Sequence, residues 1–137
     1  MTLRLHATPQ EVMRAVEALQ DYARAHKVPD KTAFGLALAL EECGSNVVNH
    51  ALRHDPQQTF QVRIGHTGAE LFVELRDPGT EFDPTSARGK KPLAGKDDLP
   101  GGWGIDLALR YADEVRYQRD AGENVLRLTK RLQPQPQ

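Results

Sequence analysis

Leu3 and Leu5 alternate with Arg4 and His6 at the start of the chain, a period of two that predicts a short first strand. The period then lengthens. Val12, Val16, Leu19 and Ala23 fall at helical spacing behind Thr8-Pro9-Gln10-Glu11, which supplies a capping box with proline at the first helical position, so a helix is expected over residues 9–26. Past Pro29, Asp30 can cap a second helix running to about His54, where Asp55-Pro56 stops it. Residues 33–40 are apolar nearly all round, the mark of a buried helical segment. From Phe60 the period returns to two: Phe60, Val62 and Ile64, a turn at Thr67-Gly68, then Leu71, Val73 and Leu75, an antiparallel hairpin. The stretch from Asp77 to Gly102 is rich in Gly, Pro and Lys, with little periodicity, and a loop of that length in a small domain is usually functional or disordered. A third helix is expected after Gly101-Gly102-Trp103-Gly104, and strands over 114–119 and 124–132 close on Asp120-Ala121-Gly122. The order β, α, α, β, β, loop, α, β, β predicts an α/β fold, a two-layer sandwich of a mostly antiparallel sheet and helices.

With 137 residues the chain fits one domain, expected over 1–132, with the glutamine- and proline-rich residues 133–137 as a loose tail. A chain of this size buries roughly two-thirds of its unfolded surface and needs no disulfide or structural metal. Cys43 is the single cysteine, which fits a reducing cytosol. Eighteen Lys and Arg against nineteen Asp and Glu leave a net charge of −1, so no global field draws nucleic acid or anionic membrane. The longest apolar stretch, residues 33–40, falls short of the about 20 residues a membrane span needs, and Met1-Thr2-Leu3-Arg4 has no signal-peptide core. A cytoplasmic protein is the expectation.

Three motifs offer chemistry. At about 100° per residue, Gly35, Leu38, Glu42, Asn46 and Asn49 share one stripe of the second helix, with Glu41 turned about 100° away. A carboxylate there can orient or deprotonate a hydroxyl, and an amide oxygen suits a hard cation such as Mg²⁺. A polar helix end reaching solvent would also account for them. Asp77-Pro78-Gly79 ends a strand: an aspartate can accept from an exocyclic amine and a glycine lets a flat ring approach, though the same residues make an ordinary turn. Gly101-Gly102-Trp103-Gly104-Ile105 precedes a helix, where backbone amides and the helix dipole can hold an anion, or where glycines simply turn the chain. Arg88, Lys90, Lys91 and Lys96 in the preceding loop could cover phosphates, or be solvated. Other chemistries lack their parts. No Gly-x-x-x-x-Gly-Lys-Ser/Thr or Gly-x-Gly-x-x-Gly run occurs, and Ser45 and Ser86 lie in no nucleophile elbow. His50 and His54 sit four apart, but favourable charge at a helix C-terminus explains them more simply than a metal. Cys43 reads as a small buried residue.

Taken in order, Glu42-Cys43-Gly44-Ser45-Asn46-Val47-Val48-Asn49-His50, Asp77-Pro78-Gly79-Thr80-Glu81-Phe82-Asp83-Pro84 and Gly101-Gly102-Trp103-Gly104-Ile105-Asp106-Leu107 resemble the N box and the two glycine boxes of the GHKL (Bergerat) ATP-binding fold. Gyrase, Hsp90, histidine kinases and MutL share that fold, and the nearest likeness is to its small RsbW-like anti-sigma-factor serine kinases. The runs Asp113-Glu114-Val115-Arg116-Tyr117 and Gly122-Glu123-Asn124-Val125-Leu126 have the look of the same branch. The resemblance extends over residues 8–132 and implies roles by position. Asn46 would bind Mg²⁺, Asp77 the adenine amine, Gly79 the adenine face, and Gly102 and Gly104 the phosphates of ATP. Glu42 would orient the attacking hydroxyl or take its proton. It also implies a protein serine/threonine kinase acting on a STAS-domain anti-sigma factor antagonist, one that in its other state sequesters a sigma factor, with a homodimer as the suggested assembly. No dimerisation helices or transducer segment accompany the motifs, so a free-standing module is expected. Asp106 departs from the usual neutral or aromatic residue one turn from the phosphates, which keeps open a second reading, a nucleotide-gated partner-switching module with little or no kinase activity.

Overall fold

The computed structural model describes residues 1–87 and 110–132. Within them β1 (Thr2–His6), α1 (Pro9–Ala25), α2 (Asp30–Asn46), β2 (Thr59–His66), β3 (Glu70–Asp77), β4 (Glu114–Asp120) and β5 (Glu123–Arg131) follow one another along the chain. The five strands form one sheet in the order β1-β2-β3-β5-β4, and every neighbouring pair is antiparallel. The expected sandwich is therefore present, with α1 packed over β1 and β2 and α2 over β3 and β5. Of the expected long loop, residues 78–87 are described, ending in Pro84–Ala87, a short 3₁₀ turn; the rest of it, the third helix up to helical residues 110–111, and the tail lie outside the described residues.

Period-two alternation decides which side of each strand is covered. Leu5, Phe60, Val62, Ile64, Leu71, Val73, Leu75, Leu126 and Leu128 are buried beneath the helices, joined from above by Leu19, Leu36 and Leu40. The opposite face has no covering layer among the described residues. There Phe72 is only 8% exposed because Arg127 and Arg63 lie over its ring at 3.8 and 5.2 Å, and Glu74 pairs with both arginines. Residues 121 and 122 join β4 to β5 with φ of 52° and 83°, the left-handed pair that a two-residue hairpin needs.

Three helix boundaries differ in detail from expectation. Thr8 caps α1 by accepting from the Glu11 amide, but the Glu11 carboxylate reaches past Thr8 to the His6 amide. Asp30 is not a cap: it is the first residue of α2, behind Pro29, and places its charge at the positive end of the helix. The second helix does not run regularly to His54. After Asn46 it widens into a π-type turn over Val47–Ala51, with the Leu52 amide donating to the Val47 carbonyl, and Arg53 and His54 at φ of 55° and 62° end it. The wider turn breaks the 3.6-residue stripe, so Asn49 is exposed rather than aligned beneath buried Asn46.

Neighbours on α2 should therefore differ sharply in cost. Leu36→Ala, at a site with no exposure, should lower unfolding free energy by about 2–5 kcal/mol. Phe34→Ala, at a site 56% exposed, should change it by about 0.5 kcal/mol or less, both read by urea denaturation followed by circular dichroism.

Candidate functional site

On β3 the inward series Leu71, Val73, Leu75 continues to Asp77, so a carboxylate occupies a core position and is 2% exposed. Its register partner on β5 is Asn124, itself 4% exposed, at the head of the inward series Asn124, Leu126, Leu128. Asp77 Oδ1 accepts from the Asn124 amide at 2.9 Å and from the Gly79 N–H at 2.8 Å. Among the described residues no donor reaches Oδ2. Burial raises the Asp77 pKa above the ordinary carboxylate value, opposed by the hydrogen bonds from Asn124 and Gly79 and by the Arg119 charge.

Asp77 opens on a small cavity of about 20 Å³ between the sheet and the end of α2. Val47, Leu75, Phe82, Tyr117 and Leu126 give it mostly apolar walls, while Asp77, Asn46 and Asn124 bring polar groups. Asn46 is 6% exposed, and its side-chain amide has no partner among the described residues. A buried carboxamide left unpaired is costly, so a ligand that engages it gains a bond that none of the described residues makes. Cys43 also lines the cavity, with burial pushing its thiol up to about 12, which keeps it protonated and unreactive.

Glu42 sits one turn before Asn46 on α2, half-buried, and is not part of the cavity wall. Burial, then the neighbouring Glu41 charge, raises its pKa, moving it toward the range where a carboxylate acts as a base at neutral pH. Gly79 also lies outside the wall. A Cβ there would stand 2.3 Å from the Ala51 carbonyl oxygen, so only glycine lets this turn close on the end of α2, where the Thr80 amide donates to the same oxygen at 3.1 Å. His50 stacks on Phe82 with ring centroids 5.1 Å apart; burial, then the His54 charge, lowers its pKa. Gly102 and Gly104, with Trp103, Asp106 and the cations Arg88, Lys90, Lys91 and Lys96, lie outside the described residues.

The structure thus brings Asn46 and Asp77 together and adds Asn124, Tyr117 and Phe82, which the sequence reading did not single out. A signal existed for Asn124: it is polar at a position that the alternation of Leu126 and Leu128 assigns to the core.

Comparison with known proteins extends this picture. Residues 5–130 match the family described as the histidine kinase-like ATPase domain. The chain is 29% identical over 135 residues to the serine/threonine-protein kinase BtrW of Bordetella bronchiseptica, covering 98% of this chain and 95% of that one. It is 34% identical over 95 residues to the serine-protein kinase RsbW of Bacillus licheniformis, a match covering 66% of this chain and 59% of that protein's length. The SiaB-SiaC complex from Pseudomonas aeruginosa shows the same fold at a TM-score of 0.67 and 14% identity, over 94% of this chain and 88% of the matched one.

A buried charge at the cavity weighs against the empty fold. Because the folded state holds the Asp77 proton more tightly than the unfolded chain, stability falls as pH rises from the ordinary carboxylate range through the raised folded value. Asp77→Asn keeps an acceptor for Gly79 and Asn124 and removes the charge. The ligand-free variant should melt at or above the parent's temperature at pH 7, with the gap closing as the parent carboxyl protonates in acid, while losing nucleotide affinity in calorimetry.

Proposed function

The chain belongs to the histidine kinase-like ATPase domain family, and from that premise we propose that it is an ATP-dependent serine/threonine protein kinase that phosphorylates a STAS-type anti-sigma factor antagonist and, in its other state, holds a sigma factor. The observation that carries this reading is the convergence, on one cavity, of a buried carboxylate oxygen and a buried carboxamide that both lack partners among the described residues, Asp77 Oδ2 and the Asn46 side chain. The kinases BtrW and RsbW support the activity, the first along nearly its whole length. In this reading the protein works in the cytoplasm and as a homodimer. No helix among the described residues is long and apolar enough to cross a membrane.

Asp77 Oδ2 takes the exocyclic amine of adenine, and the apolar walls take its ring faces. Gly79 holds the flanking turn against α2, beside the adenine. The Asn46 carboxamide oxygen is a hard donor suited to Mg²⁺, and Gly102 and Gly104 present backbone amides to the phosphates. Bound ATP supplies the phosphoryl group, with Mg²⁺ offsetting its charge. Glu42 orients the substrate serine or threonine hydroxyl and accepts its proton as that oxygen bonds to the γ-phosphorus, while the bond from that phosphorus to the β–γ bridging oxygen breaks and ADP leaves with the electron pair.

Glu42→Ala should therefore slow transfer from labelled ATP to the antagonist by about 100- to 10,000-fold with near-parental ATP affinity, and Glu41→Ala should matter little. A dead Glu41 variant would place the base on the wrong residue. No transfer by the parent protein, with sigma factor binding intact, would favour the switch module that Asp106 suggests.

Trp103 lies between the proposed phosphate glycines, so its fluorescence should change on titration with Mg²⁺ and ATP. A flat signal at saturation would remove Gly102 and Gly104 from the site.

A further inference from the structure

The Asn124 side chain spends its whole hydrogen-bonding capacity inside the protein. Its Oδ1 accepts from the Phe82 amide at 3.0 Å, the Tyr117 hydroxyl at 2.5 Å and the Arg119 guanidinium at 3.1 Å. Its Nδ2 donates to Asp77 Oδ1 at 2.9 Å and to the Thr80 carbonyl at 2.8 Å. An asparagine has two amide hydrogens, and both are used. The orientation is also fixed: turned over, the amide would set its NH₂ against the Phe82 and Arg119 donors and its oxygen against a carboxylate and a carbonyl.

Where the carboxamide could have read a base directly, the geometry points to a different division of labour. We infer that Asn124 is a positioning residue for base recognition: it ties down Asp77 Oδ1, so that Oδ2 alone is left to choose the ligand, and Tyr117 and Arg119 of β4 lock it in that task. This rests on the cavity being the adenine site of the proposed kinase. Arg119 strengthens the lock by also donating to the Gly79 carbonyl at 2.9 Å, which ties β4 to the turn that follows Asp77. With Asn124 saturated and Asn46 assigned to Mg²⁺, the base meets one charged acceptor among the described residues. A base that presents an amine there is favoured, one that presents a hydrogen is tolerated, and one that presents a carbonyl oxygen is repelled.

The full chain is titrated calorimetrically with ATP, with purine riboside triphosphate, which lacks the 6-amino group, and with inosine triphosphate, which carries a 6-oxygen. Parent protein should prefer ATP over purine riboside triphosphate by about tenfold or more, the range for a hydrogen bond to a charged group, with inosine triphosphate weakest. Asn124→Asp keeps the shape and the acceptor for Phe82, Tyr117 and Arg119 but replaces the donor to Asp77 with an oxygen. It should weaken ATP by about tenfold while changing purine riboside triphosphate by less than about threefold, so that the preference collapses. Tyr117→Phe removes one lock and should move the ATP preference the same way by a smaller factor, and it decides the matter if Asn124→Asp does not fold. Equal losses for ATP and its deamino analogue in both variants would mean that Asn124 only shapes the pocket, and would overturn the inference. Parent protein that binds neither nucleotide would overturn the adenine reading itself, a failure visible before any variant is made.

Discussion

Taking one carboxylate out of water sets the terms for the whole end of the sheet where β3 and β5 meet. An ionised carboxyl loses several kcal/mol of hydration on burial and persists only where donors replace the water. Asp77 receives two, from Gly79 and Asn124, and Asn124 is in turn held by Tyr117, Arg119 and Phe82. That arrangement exists only because the β3–β5 register sets Asp77 opposite Asn124. A slip of β5 by one residue would leave Asp77 inward but turn Asn124, Leu126 and Leu128 to the uncovered face, so the site and the hydrophobic pattern select the same pairing.

The second constraint comes from the helix layer. A helix leaves its last carbonyls without intrahelical donors, and the wide turn after Asn46 directs one of them, at Ala51, toward the turn following β3. Thr80 donates to it and Gly79 fits beneath it, so the end of α2 and the segment after Asp77 fix one another. Asn46, the last residue of the regular helix, is thereby held on the cavity wall opposite the strands. The polar groups come from three separate elements, and the packing of apolar residues between them, Leu75 and Leu126 below and Val47 above, keeps them at one place.

Much of this was legible because the sequence repeats its instructions. The strands alternate cleanly, Thr8-Pro9 announces α1, and Asp120-Ala121-Gly122 announces a hairpin, so local chemistry and hydrophobic pattern agree. Glu42, Asn46, Asp77 and Gly79 could be singled out because polar or turn-forming residues interrupt apolar runs. The widening at Val47–Ala51 could not, since nothing in Val47-Val48-Asn49-His50 distinguishes a four- from a five-residue hydrogen-bond step; tertiary contact with the Gly79 turn decides it. Asn124 was hidden for a related reason. Its role depends on which strand lies beside β3, and sequence order suggests β4 before β5.

That strand order has a further consequence. With β5 zipped between β3 and β4, those two strands run parallel, so the crossing from Asp77 to Glu114 leaves one end of the sheet and re-enters two strands away, level with Phe72 rather than with Asp77. The sheet therefore carries no register information from the crossing: its ladders close whatever length of chain is paid out between those points. Asp77 is held by Gly79 and Asn124, and Asn124 by Phe82, Tyr117 and Arg119, so the frame around the carboxylate is complete among the described residues on either side of that crossing.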